Sequence, residues 1–229
     1  MSGDRGHITP ELFGFLTELA ENNDREWFQA HKGRYEEVVR EPLRAFVRDF
    51  EPALEKISPH LVADDRKVGG SLFRIHRDTR FSKDKSPYKT WAALQFRHEA
   101  GKDVHAPGFY LHLQPGSVFM GAGCWHPARE PLEAIRDAIA EDPDRWLAVR
   151  DELVDAGYAF EGESLKRPPR GYDAEHPAVE ELKRKDFIAV KQLSEKEACQ
   201  ADFVDRYAET CSATAELMSF LTGAMGARW

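Results

Sequence analysis

Between Arg74 and Thr90 the chain reads RIHRDTRFSKDKSPYKT, a run of the residue types that hold anions. Arg74, Arg77, Arg80, Lys83, Lys85 and Lys89 face only Asp78 and Asp84, a surplus of four positive charges in a chain whose formal net charge is −8. Guanidinium forks bind phosphate and carboxylate through paired N–H donors, and ammonium groups do so as compact point charges. Thr79, Ser82, Ser86 and Thr90 add hydroxyls, while Phe81 and Tyr88 offer rings on which a base or sugar can stack. Pairing within the segment neutralises two of the six cations at most. Exposed pairs of this kind contribute roughly 0–1 kcal/mol, so they account for little of the pattern.

The elements that must position these groups follow from periodicity. Residues 71–77 alternate, with Phe73 and Ile75 on one side and Leu72, Arg74 and His76 on the other, which predicts a strand. Residues 91–98 alternate again, Ala92, Leu94 and Phe96 against Ala93, Gln95 and Arg97. Residues 109–114 set Phe109, Leu111 and Leu113 against Tyr110, His112 and Gln114, and Gln114-Pro115-Gly116-Ser117 turns the chain into a hairpin. With Phe73, Ile75, Leu94, Phe96, Leu111 and Leu113 under helices, Arg74, Gln95, Tyr110 and His112 share the opposite, polar face. This adds Gln95 and Tyr110 to the candidate ligand-binding set of Arg74, Arg77, Arg80, Lys83, Lys85, Tyr88 and Lys89. His112 and Asp78 are the candidates for moving protons. A polar face is also the ordinary solvated side of an antiparallel sheet, so the site rests on the basic segment.

Helical patterns flank the strands. Thr9-Pro10-Glu11 opens the first helix, Asp24 can cap a second, and Pro42 interrupts the pattern and restarts it as a third. Further helices are expected over REPLEAIRDAIAEDP and over DRWLAVRDELVDAG with Gly157 as its C-cap, and a short one around AVEELKRK. FIAVKQL reads as a strand, and the capping box Ser194/Glu197 opens a last helix running toward Leu221. The irregular basic piece KRPPRGY reads as a solvated loop. The result is one α+β domain over 1–229, ordered over about 9–222, in which a central antiparallel meander is packed by N- and C-terminal helices.

Composition bounds the partners. Of 229 residues, 41% are apolar and 31% charged, as in ordinary globular proteins, and the pI near 5.6 gives no overall attraction to nucleic acid or anionic lipid. Cys124, Cys199 and Cys211 are too few and scattered for a disulfide framework and suit a reducing cytoplasm. The opening MSGDRGHITPELFGFL has no signal-peptide pattern, and no apolar run long enough for a membrane span occurs. His105, His112 and His126 with Asp103 match no metal-ligand spacing, so no metal is assigned and no cofactor is expected. Gly121-Ala122-Gly123 is not followed by a helix and reads as a strand end.

The stretch FRIHRDTRFSKDKSPYKTWAALQF resembles the signature of the uncharacterised bacterial and fungal family DUF2461. FLTELAENNDREWFQAHKGRYEE, FYLHLQPGSVFMGAG with the LEAIRDAI helix, and LKRPPRGYDAEHPAVEELKRKDF match the same pattern in the same order. The resemblance covers nearly the whole chain and implies a single domain without an obligate cofactor. It carries no activity, so Arg74, Arg77, Asp78, Arg80, Phe81, Lys83, Asp84, Lys85, Pro87, Tyr88 and Lys89 are motif positions without a role. Cys124-Trp125-His126 stands where a less bulky turn is expected, and Trp91 where a small polar residue is commoner. The residues support a cytoplasmic protein that binds a small anionic, phosphate-bearing ligand, and an enzyme acting on that ligand is compatible with them. A nucleic-acid or protein binding module using the basic loop is the alternative, with nucleic acid disfavoured by the overall charge. A purely structural motif is the third reading.

Overall fold

The computed structural model describes residues 6–101 and 105–229. Leu12, Phe13, Phe15, Leu16 and Leu19, three or four apart, become the buried stripe of α1 (Pro10–Glu21). Thr9 is extended ahead of it but makes no side-chain cap bond, so Pro10, preset for the first turn, is the start signal that acts. Asp24 caps α2 (Arg25–Tyr35) by accepting from the Trp27 N–H at 2.9 Å.

The expected break at Pro42 does not occur. The chain stays helical through a π-turn, Glu36–Arg40, into α3 (Glu41–Ile57). Pro42 has no N–H for the carbonyl four residues back, and its ring crowds that carbonyl. The turn ahead of it widens, and the Glu41 N–H bonds to the Glu36 carbonyl instead.

Five strands form one antiparallel sheet in the order β1-β2-β3-β5-β4: β1 (Ala92–Arg97), β2 (Gly108–Gln114), β3 (Ser117–Cys124), β4 (Ala159–Glu161) and β5 (Phe187–Leu193). Register stacks Leu94, Leu111 and Met120 in one row and Phe96, Phe109 and Ala122 in the next, all buried. Phe50 of α3 meets Phe96 edge-on at 4.7 Å, and Tyr207 meets Phe50 at 5.0 Å, so helices cover this face. The opposite face carries the rows Ala93–His112–Phe119 and Gln95–Tyr110–Gly121, as alternation requires. Pro115-Gly116 makes the β2–β3 turn, with Gly116 at φ 76°.

Residues 71–77 are not a strand. Ser71 and Phe73 bond to Gln95 and Ala93 of β1 at 2.9 and 3.0 Å, and Leu72 bridges Leu94. The chain then leaves the sheet edge and pairs with its own continuation: His76 bridges Tyr88, the Arg77 N–H reaches the Pro87 carbonyl at 2.9 Å, and the Lys89 N–H reaches that of Ile75 at 2.7 Å. Leu72 therefore lies on the helix-covered side and Phe73 on the other, against Tyr110 and Trp91. This reverses the expected sides of Leu72 and Phe73, as a one-residue slip does. Ile75, beyond the point of departure, is buried in the core as expected.

The C-terminal half follows α4 (Arg129–Glu141) and α5 (Pro143–Asp155), the latter closed by Gly157 in a Schellman arrangement. There Tyr158 N–H reaches Leu153 O and Gly157 N–H reaches Val154 O, both at 2.9 Å. α6 (Val179–Leu182) is the expected short helix. The Ser194/Glu197 box forms, but the single last helix is three: α7 (Glu195–Ala198), α8 (Phe203–Ser212) and α9 (Ala215–Ala224). At the second break the Cys211 carbonyl accepts from both the Thr214 N–H at 3.0 Å and the buried Thr214 hydroxyl at 2.8 Å. The whole is a single α+β domain around one buried cluster running from Ile8 to Leu221. Among the described residues no helix is long and apolar enough to cross a membrane.

Candidate functional site

The pairing of 75–77 with 87–89 makes a neck, and residues 78–86 are the loop it carries. Within the loop the charges satisfy one another. Arg77 pairs with Asp84, Arg80 with Asp78 at 2.7 Å, and the Lys85 Nζ donates to the Thr79 carbonyl at 2.8 Å. Hydrogen bonds from Arg80 push the Asp78 carboxyl down to about 2, and Ser86 with Arg77 holds Asp84 well below the usual range. Asp78 is therefore held as the carboxylate partner of Arg80 on the exposed loop. Lys83 is exposed, and Phe81 is 95% exposed with the Arg80 guanidinium over its ring at 5.8 Å.

Tyr88, expected to line a ligand site, belongs to the core. It is 3% exposed and stacks on Phe28 of α2 at 4.1 Å. Asn23 grips its backbone twice, donating to the Tyr88 carbonyl and accepting from its N–H, each at 3.0 Å. Its role is to fasten the neck to the α1–α2 junction.

Further cations lie outside the loop. A cleft of about 140 Å³ separates α2 and the π-turn from residues 67–76. Lys32, Glu36 and Arg40 line it from the helix, and Lys67, Phe73, Arg74 and His76 from the other wall, with Phe28, Tyr35, Leu72 and Ile75 as apolar lining. Burial raises the Tyr35 hydroxyl to about 12, so it stays a neutral donor. Glu36 is the one carboxylate in this lining, and it is engaged by Arg40 at 2.7 Å. Arg40 also donates to the Lys67 carbonyl at 3.1 Å. Arg74 and Lys32 make no ion pair among the described residues, and both line the cleft together with His76. Contact with Phe28 and Tyr88 takes water from one flank of that imidazole. This burial first, then the charges of Arg74, Lys32, Lys89 and Arg25, hold its pKa below the ordinary value.

Lys89 sits beside the cleft. Its Nζ lies 4.9 Å from the Trp91 ring centroid and 5.5 Å from that of Phe73, and donates to the Arg74 carbonyl at 2.7 Å. Burial and the neighbouring Arg74 lower its pKa. Beyond Trp91 comes the second sheet face. His112, 8% exposed, stacks on Phe119 at 4.7 Å and meets Trp91 at 5.2 Å. Its Nδ1 bonds to the Tyr110 hydroxyl at 3.0 Å and its Nε2 to Gln114 at 3.2 Å. Burial lowers the His112 pKa and raises that of Tyr110. Gln95 is buried on the same face.

The nine ligand-binding candidates thus divide. Arg74 lines the cleft and Lys89 borders it; Arg77, Arg80, Lys83 and Lys85 stand on the neck and loop; Tyr88 is core; Gln95 and Tyr110 lie on the sheet face. Sequence reasoning missed Lys32, Arg40, Lys67 and His76. The readable signal was in α2, where Arg25 and Lys32 lie seven apart on one side and only Phe28 and Tyr35 are buried. Of the histidines considered for a metal, His105 and His126 flank the half-exposed Trp125. His112 instead lies mid-strand among Trp91 and Phe119, and Asp103 is outside the described residues. The KRPPRGY loop is exposed at its cations and docks through Tyr172, whose hydroxyl donates to Asp137 of α4 at 2.7 Å.

A family model described as conserved hypothetical protein (DUF2461) matches residues 11–220. No curated protein matches the chain.

Proposed function

The chain belongs to the DUF2461 family of conserved hypothetical proteins, and from that premise and the cleft we propose that it binds a small phosphate-bearing anion between α2 and residues 67–76. One observation carries the reading: Lys32, Arg40, Lys67 and Arg74 line one small cleft with Glu36 as its single carboxylate, in a molecule whose net charge is −8. Four cations held around one carboxylate raise the energy of the empty site, and an anion relieves that repulsion. Arg74 and Lys32 hold the phosphate, Arg40 and Lys67 complete the positive wall, and neutral His76 is the group placed to exchange a proton with it. The cleft admits a phosphate and a few further atoms, well short of a nucleotide-sized pocket. A cytoplasmic location accompanies this reading, supported by three free cysteines, Cys124, Cys199 and Cys211.

Thermal unfolding tests it. Pyrophosphate should raise the melting temperature above that in chloride of matched ionic strength, with a gain of about 2.7 kcal/mol at a hundredfold excess over Kd. Arg74→Ala should remove the ligand-dependent part, and Arg80→Ala, whose guanidinium is committed to Asp78, should keep it. Equal shifts in Arg74→Ala and wild type would mean the anion acts by exclusion from the surface, and the cleft assignment fails. The exposed Phe81 beside Arg80 favours a second reading, a polymer contact through loop 78–86. Submicromolar, steeply salt-dependent RNA binding would move the function there.

A further inference from the structure

We propose that Lys89 is an imine-forming lysine, and that the anion held by Arg74 is the phosphate of a small aldehyde or ketone. The inference rests on the anion reading and names its substrate class. Three features of placement support it. The amine is half-buried against two aromatic faces, Trp91 and Phe73, and makes no ion pair among the described residues. It is tied to the backbone carbonyl of Arg74, the residue whose side chain lines the cleft. Phe73 is shared, lining the cleft and lying under the Lys89 Nζ, so the amine stands at the cleft's edge.

A lysine that is partly desolvated and set beside a second cation is the arrangement that frees an amine for attack on a carbonyl, and both causes act on Lys89. The neutral Nζ adds to the carbonyl carbon, forming a C–N bond and a carbinolamine. The carbonyl oxygen takes two protons and leaves as water, and an iminium remains. Net, ammonium and carbonyl give iminium and water, with no oxidant or further reactant. The iminium keeps the positive charge over Trp91 and Phe73, so those faces hold the product as they held the ammonium. His76, which lines the same cleft and bridges Tyr88, the residue next to Lys89, is the proton carrier for the loss of water.

Glycolaldehyde phosphate and unphosphorylated glycolaldehyde, each with cyanoborohydride, trap the imine as a stable secondary amine that peptide mass mapping locates. Lys89 should be labelled by the phosphate ester several-fold more than exposed Lys83 or Lys85, because a phosphate held at Arg74 brings the carbonyl to the amine tied to that residue's backbone. Inorganic phosphate should suppress the adduct. Arg74→Ala should lose the preference for the phosphate ester while still reacting with glycolaldehyde. Adducts spread over Lys83 and Lys85 with Lys89 spared would overturn the imine, even where pyrophosphate still stabilises the protein through Arg74. Equal labelling of Lys89 by both aldehydes, unaffected by phosphate, would overturn the substrate class and the anion site together.

Discussion

Asn23 and Tyr88 are 65 residues apart in sequence, and a single carboxamide joins them through two hydrogen bonds to a buried backbone. Replacing Asn23 by Ala strands the Tyr88 N–H and C=O beside a packed Phe28, at about 1–3 kcal/mol for a buried group left without its partner. Urea denaturation of Asn23→Ala should show a lower midpoint with an unchanged slope. A midpoint equal to wild type would mean that water replaces the carboxamide and that the neck needs no such anchor. Sequence reading found the importance of Tyr88 and mistook its kind: a tyrosine among cations suggests a ligand wall, and nothing local reveals a partner at the α1–α2 junction. His112 was legible for a better reason, since strict alternation on β2 fixes its face whatever lies across the sheet. Its aromatic surroundings were not, because Phe119 and Trp91 come from two other stretches of chain.

At the scale of elements, alternation predicted β1 and β2, the Pro115-Gly116 turn brought β3 with them, and alternation failed where the chain merely brushes the sheet. Alternation reports that two sides differ, and residues 71–77 have two different sides while pairing first with β1 and then with 87–89. The three-residue β4 is too short to alternate visibly. The π-turn was hidden for a related reason: a proline read as a stop was absorbed by widening one turn, which sets Arg40 and Glu36 on the cleft wall. Elsewhere a charge network joins elements. Buried Glu181 accepts from Trp146 and Arg150 of α5 at 3.2 and 3.0 Å and from Arg184 at 2.7 Å, tying α6 to α5 below the sheet's β4–β5 edge. Glu181→Ala leaves two guanidinium groups and an indole N–H without their acceptor. The expected loss is about 3–5 kcal/mol, the range for breaking a buried pair from one side, and thermal unfolding would read it as a melting temperature lower by many degrees. A loss near zero would show that Arg150, which also pairs with Asp151, and Arg184 turn to solvent at little cost.

For the whole molecule, the carboxylates and histidines whose pKa folding lowers push stability in one direction with pH. His76 and His112 have folded-state pKa values below their ordinary 6.5, both chiefly through burial. Glu18 is lowered by Arg34, Asp64 by Arg66 and Asp78 by Arg80. A group depressed on folding contributes stability that is fully present above its unfolded pKa and is lost as pH falls through the folded one. The two histidines should therefore begin to weaken the fold below about 6.5, and the carboxylates only below about 4. Lys89, also depressed, has its transition in the alkaline range and adds a constant penalty across this window. The urea midpoint should hold level from about pH 8 to about pH 7 and fall toward about pH 5. His112→Gln, which keeps an amide between Tyr110 and Gln114, should flatten part of that fall. Because His112 is enclosed and its replacement can unfold the protein, His76→Gln on the open cleft wall provides the second reading and should flatten another part. A midpoint that stays level or rises from about pH 7 to about pH 5 in wild type would mean that both imidazoles are protonated in the folded state without penalty. In that case the cations around His76 do not create the positive field on which phosphate binding depends.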